Sequence, residues 1–336
     1  MIFFEKVLNS LLVIMMEKLL SFPLSADTLS EAGGAIALAR ICSEFGCSGV
    51  EALWCGTDMP DIGPLLRGYH LIFYPDWLDF WRGDTAALVK KFGSREAYTS
   101  FYGGSGSETL LELFRADVER AERAGARYGV FHVADVSIEE GYSYRWLHSD
   151  EEVIDASADL LNALFYKREP PFPILFENQW WPGLRFDKPS LAERLLEKVS
   201  FENKGFLLDT GHMMNTSPSL KTQAEGAQFI LRALDSFGSL SKEIRAMHLS
   251  MSLSGEYCRG HTGFLPPLPE DYFERYRQNY AHIERIDQHR PWTDSSVLRV
   301  IERVSPDFLT HELSGRNFGE KLRAWRIQAS VLGDIT

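Results

Sequence analysis

Six short apolar runs in this chain of 336 residues each carry a histidine, aspartate or glutamate at or near their last position. They are GYHLIFY at 68–74 with His70, YGVFHV at 128–133 with His132, PILFE at 173–177, GFLLD at 205–209, IRAMHL at 244–249 with His248, and DFLTHE at 307–312. Runs of this length and content read as buried strands. Alternate residues of a strand share a face, so Leu175 goes with Glu177, Ala246 with His248, Val130 with His132, and Phe308 and Thr310 with Glu312. His311 falls on the opposite face. A lone buried histidine is ordinarily a satisfied core residue, but the same pattern on six strands points to a site at their C-terminal ends.

Two further runs, 18–25 and GVEALW at 49–54, raise the strand count to eight. Between the strands lie helical patterns at 30–45, 108–124, 151–165, 190–199, 219–237, 295–304 and 318–332. Residues 93–107 are rich in Gly and Ser and read as a loop. Strands alternating with helices predict an α/β fold, a single (β/α)8 TIM barrel, with reactive groups displayed at the C-terminal ends of the strands. An open doubly wound sheet is the rival, but no Gly-x-Gly-x-x-Gly follows the first strand. The rhythm breaks after the seventh strand, where 250–286 reads as an inserted loop region. Residues 1–16 read as an N-terminal extension or an upstream start, and 17–336 as the barrel domain. The extension's longest apolar stretch is too short to span a bilayer and lacks a cleavage site.

Net charge is −12 and no Lys/Arg-rich run occurs. That balance disfavours nucleic acid and favours a small-molecule substrate, with no membrane involvement. Cys42, Cys47, Cys55 and Cys258 lack metal or nucleophile spacing, and reduced thiols in a cytoplasmic protein are expected.

Past the strands, Asp209 continues through a Gly turn to His212, and Asp287-Gln288-His289 sets a carboxylate and an imidazole two residues apart. The candidate metal ligands are therefore His70, His132, Glu177, Asp209, His212, His248, Asp287, His289 and Glu312. Mixed imidazole and carboxylate donors suit zinc first, with manganese or iron possible, over calcium or magnesium. Nine ligands exceed what one ion takes, so two or three divalent ions are expected. His148 reads as a surface loop residue and His282 as structural or solvent-facing.

These signatures resemble the xylose isomerase-like barrel superfamily, which holds sugar isomerases and epimerases together with endonuclease IV-type enzymes. The resemblance runs from His70 to Glu312. Its shared four-ligand core is matched by Glu177 in LFENQ, Asp209 in LLDTGH, His248 in AMHLS and Glu312 in THEL. The endonuclease-type pattern adds His70 and His132, His212 of DxxH, and Asp287 and His289 of DxH, which implies three zinc ions with Glu177 bridging. Departures are FHVADVS after the fourth strand, HRPWTD after the DxH, and the insertion that carries Arg259. The resemblance implies a metal-dependent enzyme, and a multinuclear site that hydrolyses a phosphoester of a small molecule is the expected activity. The alternative is a single-metal sugar isomerase or epimerase in which Glu177 and Glu312 act as base and acid beside a carbonyl. A barrel retained only for binding is disfavoured because the four core ligands are all present. Trp180, Trp292 and Arg259 are expected to contact substrate, and Trp181 to pack on the rim.

Overall fold

Eight strands close into a barrel in sequence order. They are β1 (Glu17–Leu24), β2 (Gly49–Trp54), β3 (Leu66–His70), β4 (Tyr128–His132), β5 (Ile174–Glu177), β6 (Lys204–Asp209), β7 (Ile244–Leu249) and β8 (Phe308–His311). All neighbouring pairs are parallel, β8 against β1 included. This is the (β/α)8 barrel that the alternation predicts. The computed structural model describes residues 16–335, so the expected extension at 1–16 lies outside the described residues apart from Met16. No helix among the described residues is long and apolar enough to cross a membrane.

Strand register decides where the ligand-type side chains meet. Glu177 lies level with His132, and His248 level with Asp209 on one side and Thr310 on the other. Below them the lumen is packed with Leu19, Tyr128, Val130, Leu175, Leu207, Ala246 and Phe308, the alternate positions that a closed barrel turns inward. Tyr128 fits because its register partner on the adjacent strand β3 is Gly68, where a Cβ would stand 2.4 Å from the tyrosine Cζ. The opposite faces of the strands join the helical layer in a second, larger core that includes Phe22, Phe176, Phe206, Trp292 and Trp325.

Local differences from the sequence expectation have local causes. The helix expected over 30–45 is two helices, Ala26–Glu31 and Ala35–Glu44, parted by Gly33 and Gly34 with φ of 83° and 89°. The third strand begins at Leu66 and stops at His70, because the Ile72 amide leaves the ladder and donates to Asp117 Oδ2 at 2.7 Å. Within 93–107 the chain forms a helix, Arg95–Tyr102, capped by Ser94 and ended by Gly103 in the left-handed region. Its Gly and Ser residues mark helix ends, and Tyr98 and Tyr102 are buried. After β7, within 250–286, the chain forms helices Gly255–His261 and Tyr272–Ile286.

His148 is not the surface residue expected. Its side chain is 11% exposed, with Nδ1 2.9 Å from Asp135 Oδ2 and Nε2 3.2 Å from Asp79 Oδ1. Asp135 also accepts from the amides of Trp77 and Leu78, while Lys91 spans Asp76 and Asp79 at 2.7 Å each. This network ties the segment after β3 to the segment after β4. Burial opposes charge on His148, but its hydrogen bonds to Asp135 and Asp79 prevail and hold its pKa up at about 10. A group whose pKa rises on folding stabilises fully below its unfolded value, about 6.5 for histidine, and the contribution drains away as pH climbs to the folded value. The variant His148→Gln is therefore expected to be less stable than wild type by about 2 kcal/mol at pH 6. Denaturant titrations should show that gap shrinking steadily towards pH 10, and a gap independent of pH contradicts the assignment.

Candidate metal centre

The ligand-type residues converge at the C-terminal mouth of the barrel in three overlapping groups. These are His70, His132 and Glu177; then Glu177, Asp209, His248 and Glu312; then Asp209, His212 and His289, each group offering ligand atoms within 4.8 Å of one another. Asp287 adjoins the last group, with Oδ2 at 3.2 Å from His212 Nε2 and 3.4 Å from His289 Nδ1. All nine residues singled out by their spacing are thus brought together.

Glu177 is the hinge of the arrangement. It is fully buried, and its two oxygens face four imidazoles: His132 at 2.7 Å, His212 at 3.1 Å, His248 at 3.3 Å and His70 at 3.6 Å. The Nε2 atoms of His70 and His132 stand 2.9 Å apart on the same carboxylate oxygen. With Nδ1 of His70 3.0 Å from the Leu71 carbonyl, the neutral ring donates there and turns the Nε2 lone pair towards Glu177 and His132. His248 points Nδ1 at Glu312 Oε2, 3.1 Å away, and at Glu177.

Asp209 Oδ2 is buried without a hydrogen-bond partner, and the buried oxygens Glu177 Oε2 and Glu312 Oε2 meet only imidazole nitrogens. An orphaned buried carboxylate oxygen is costly unless a cation meets it, and all three residues belong to the same ligand group. The donor set therefore fits divalent ions. Burial and the charges of Glu312, Glu177 and Asp287 push the Asp209 carboxyl well above its usual range. Burial also works against ionisation of Glu177 and Glu312, yet the facing histidines hold both well below it. Desolvation works against charge on the half-buried His289 as well, yet Asp287 and Glu312 raise it to about 10. No Lys or Arg pairs with these carboxylates among the described residues; their ion-pair partners are all histidines.

Local chain geometry aims the groups. Asp209 ends β6 and caps the short helix Thr210–Asn215, its Oδ1 accepting from the His212 amide at 2.5 Å. That cap brings His212 back towards the strand end. Asn178 brackets Asp209, accepting from its amide at 2.8 Å and donating to its carbonyl at 3.1 Å. His289 sits in the left-handed region with φ of 44°, a conformation uncommon outside glycine and found disproportionately at functional positions.

Glu51 was overlooked in the sequence. Although fully buried in β2, it accepts from His248 Nε2 at 2.8 Å, from the Tyr128 hydroxyl at 2.5 Å and from Thr310 Oγ1 at 3.2 Å. A glutamate inside an apolar strand is seldom buried without partners, and that was the available signal.

Two cavities open on the cluster. One, of about 310 Å³, is walled by Phe73, Trp180, Trp181, Tyr276 and Tyr280 and reaches His132 and His212. The other, of about 620 Å³, reaches His289 and Glu312 and is lined by Ser314, Arg316 and Lys321. Tyr280, Ile283 and Asp287, from the helix Tyr272–Ile286 and its end, line both. Trp180 lines the smaller cavity. Trp292 does not: it is fully buried in the outer core, its Nε1 donating to the Ser250 carbonyl at 2.8 Å. Arg259 lines neither cavity and donates to the Pro218 carbonyl at 3.2 Å. His282 is structural, buried between the Tyr257 hydroxyl at 2.9 Å and the Gly141 carbonyl at 3.2 Å.

The family model described as xylose isomerase-like TIM barrel matches residues 39–295. Among solved structures, an L-ribulose 3-epimerase aligns with a TM-score of 0.52 at 11% identity, over 95% of this chain and 94% of its own. The IOLI protein with a bound zinc atom aligns at 0.47 and 14%, over 95% and 97%. Endonuclease IV from Thermus thermophilus aligns at 0.43 and 14%, over 95% and 99%. At such identities the likeness is one of fold. No curated protein sequence matches the chain. By the family match, the chain belongs to the xylose isomerase-like TIM barrel family, whose members are metal-dependent isomerases, epimerases and endonucleases.

Proposed function

We propose that the chain hydrolyses a phosphoester of a small molecule at a site for two or three divalent ions, zinc first among them. His70, His132 and Glu177 would hold one, Glu177, Asp209, His248 and Glu312 a second, and His212, Asp287 and His289 a third. Such ions supply Lewis-acid stabilisation of phosphoryl charge and make water acidic enough to attack near neutral pH.

The carrying observation is Glu177, covered by four imidazoles within 3.6 Å. A carboxylate so enclosed is placed to join ligand groups. It is poorly placed to take a proton from a sugar carbon, as the single-ion isomerase or epimerase reading requires. Charge supports the same choice. Glu51, Glu177, Asp209, Asp287 and Glu312 carry five formal negative charges, and with neutral histidines one divalent ion leaves −3, two leave −1 and three leave +1. An anionic ester is repelled less as ions are added and is attracted by the full set of three.

The surrounding residues orient and enclose. Asp287 and Glu312 hold the His289 ring from two sides, at 3.4 and 3.5 Å. Glu51 holds His248 through Nε2 and leaves Nδ1 for the cluster. Trp180 and Trp181, each about 5% exposed, exclude water from one side. In the balanced reaction the water oxygen joins phosphorus and the ester P–O bond breaks. One water proton ends on the departing alcohol and the other stays with the phosphate. Cavities of a few hundred Å³ suit small ligands, and the net charge of −12 disfavours a long polyanion.

Elemental analysis of protein purified without chelator should give close to three zinc ions per chain, and about one fewer in His289→Ala. The zinc-loaded enzyme should release alcohol from phosphoesters. One ion in both samples, with proton exchange on ketoses and no ester cleavage, sinks this reading. Glu51→Gln, which weakens the grip on His248, should lower zinc affinity about ten-fold in chelator competition with an unchanged circular dichroism spectrum. Unaltered affinity removes Glu51 from the site.

A further inference from the structure

Resting on the phosphoester reading, we infer that the substrate is a two-armed phosphodiester. One arm is a flat, mostly apolar ring and the other an alcohol that carries an anionic group. The two cavities carry this inference. Both reach the candidate ligands from different sides, and Tyr280, Ile283 and Asp287 form a common wall between them. A phosphate seated at the cluster can thus extend a substituent into each. A monoester leaves one of them to water.

The cavities differ in chemistry. The smaller presents aromatic faces from Phe73, Trp180 and Tyr280 and holds no Lys or Arg. At about 310 Å³ it admits one ring system with some clearance. Trp181, 5% exposed, lines it with an Nε1 that has no hydrogen-bond partner. The side-chain oxygen of Asn279, on the same wall, has none either. Trp180 Nε1, on the same lining, is likewise unpartnered, and these two donors and one acceptor beside aromatic faces suit a heterocycle that has both kinds of group on its edge.

The larger cavity mixes apolar walls with charged groups of both signs, Glu284, Glu320, Arg316 and Lys321 among them. Arg316 is committed to Glu320 at 2.5 Å, whereas Lys321 has no carboxylate within ion-pair distance among the described residues, and its ammonium is the cation left to meet a ligand. A carboxylate or second phosphate on the other alcohol supplies that partner, and a charge-assisted pair there fixes which arm lies on which side. In the reaction the water oxygen joins phosphorus, one P–O bond to an arm breaks, that arm leaves as an alcohol with one of the water protons, and the other arm remains as a monoester whose phosphate keeps the second proton.

The test uses the zinc-loaded full chain and three nitrophenyl probes: a phosphomonoester, a phosphodiester with a neutral second alcohol, and a phosphodiester whose second alcohol bears a carboxylate. The carboxylate diester should have the highest kcat/KM, and at least about ten-fold over the monoester. In Lys321→Gln its preference over the neutral diester should fall about ten-fold, through KM. Trp181→Phe, which removes one of the two donors and keeps an aromatic face, should raise KM for a heterocyclic diester more than for the nitrophenyl one. Monoester cleavage equal to or faster than diester cleavage overturns the two-armed substrate and leaves the phosphoester reading standing. Cleavage of no probe fails both. Equal losses for both diesters in Lys321→Gln overturn the anionic arm.

Discussion

The Glu177 carboxylate and the four imidazoles around it are the interaction on which the rest of the centre depends. A buried carboxylate is unfavourable alone, and four neutral imidazoles offer it little charge. What makes such a cluster tolerable is positive charge shared among its members, either as protons on the rings or as metal ions. Three buried carboxylate oxygens in one ligand group, one unpartnered and two facing only imidazoles, favour ions, which meet several lone pairs at once where a proton meets one. Around this nucleus every outer contact works to hold an angle: Glu51 on His248, Asn178 on Asp209, and Asp287 with Glu312 on His289.

The barrel makes that nucleus possible through register. Parallel strands set His132 level with Glu177, and Asp209 level with His248, so residues distant in sequence reach one level without long loops. The lumen beneath is filled by apolar side chains, which closes the site from below and leaves the mouth as the entrance. The helix Tyr272–Ile286 then divides that mouth, giving one side an aromatic wall and the other a wall that carries charged groups.

The barrel and the nine clustered residues were legible in the sequence because strand periodicity is rigid. Once 173–177 and 244–249 are strands, Glu177 and His248 must share a face with Leu175 and Ala246. The same logic put His311 on the outer face, where it contacts Gln328 at 3.0 Å. What was not legible lies where no period applies. Trp292 and Arg259 follow irregular segments, and composition alone does not tell a pocket wall from a core residue. The Gly and Ser of 93–107 read as a loop although they cap a helix. The early end of β3 depends on Asp117, a helical residue forty-five positions away from Ile72. Glu51 was within reach of the alternation argument and escaped only because it sits mid-strand instead of at a strand end.

The central claim is that several ions gather around Glu177. Anomalous scattering at the zinc edge from crystals of the loaded protein tests it most directly. The account predicts two or three peaks, neighbouring ones about 4 Å apart, two of them flanking the Glu177 carboxylate. A single peak enclosed by Glu177, Asp209, His248 and Glu312, with His70, His132 and His289 bound to nothing, contradicts it and restores the single-ion isomerase or epimerase reading.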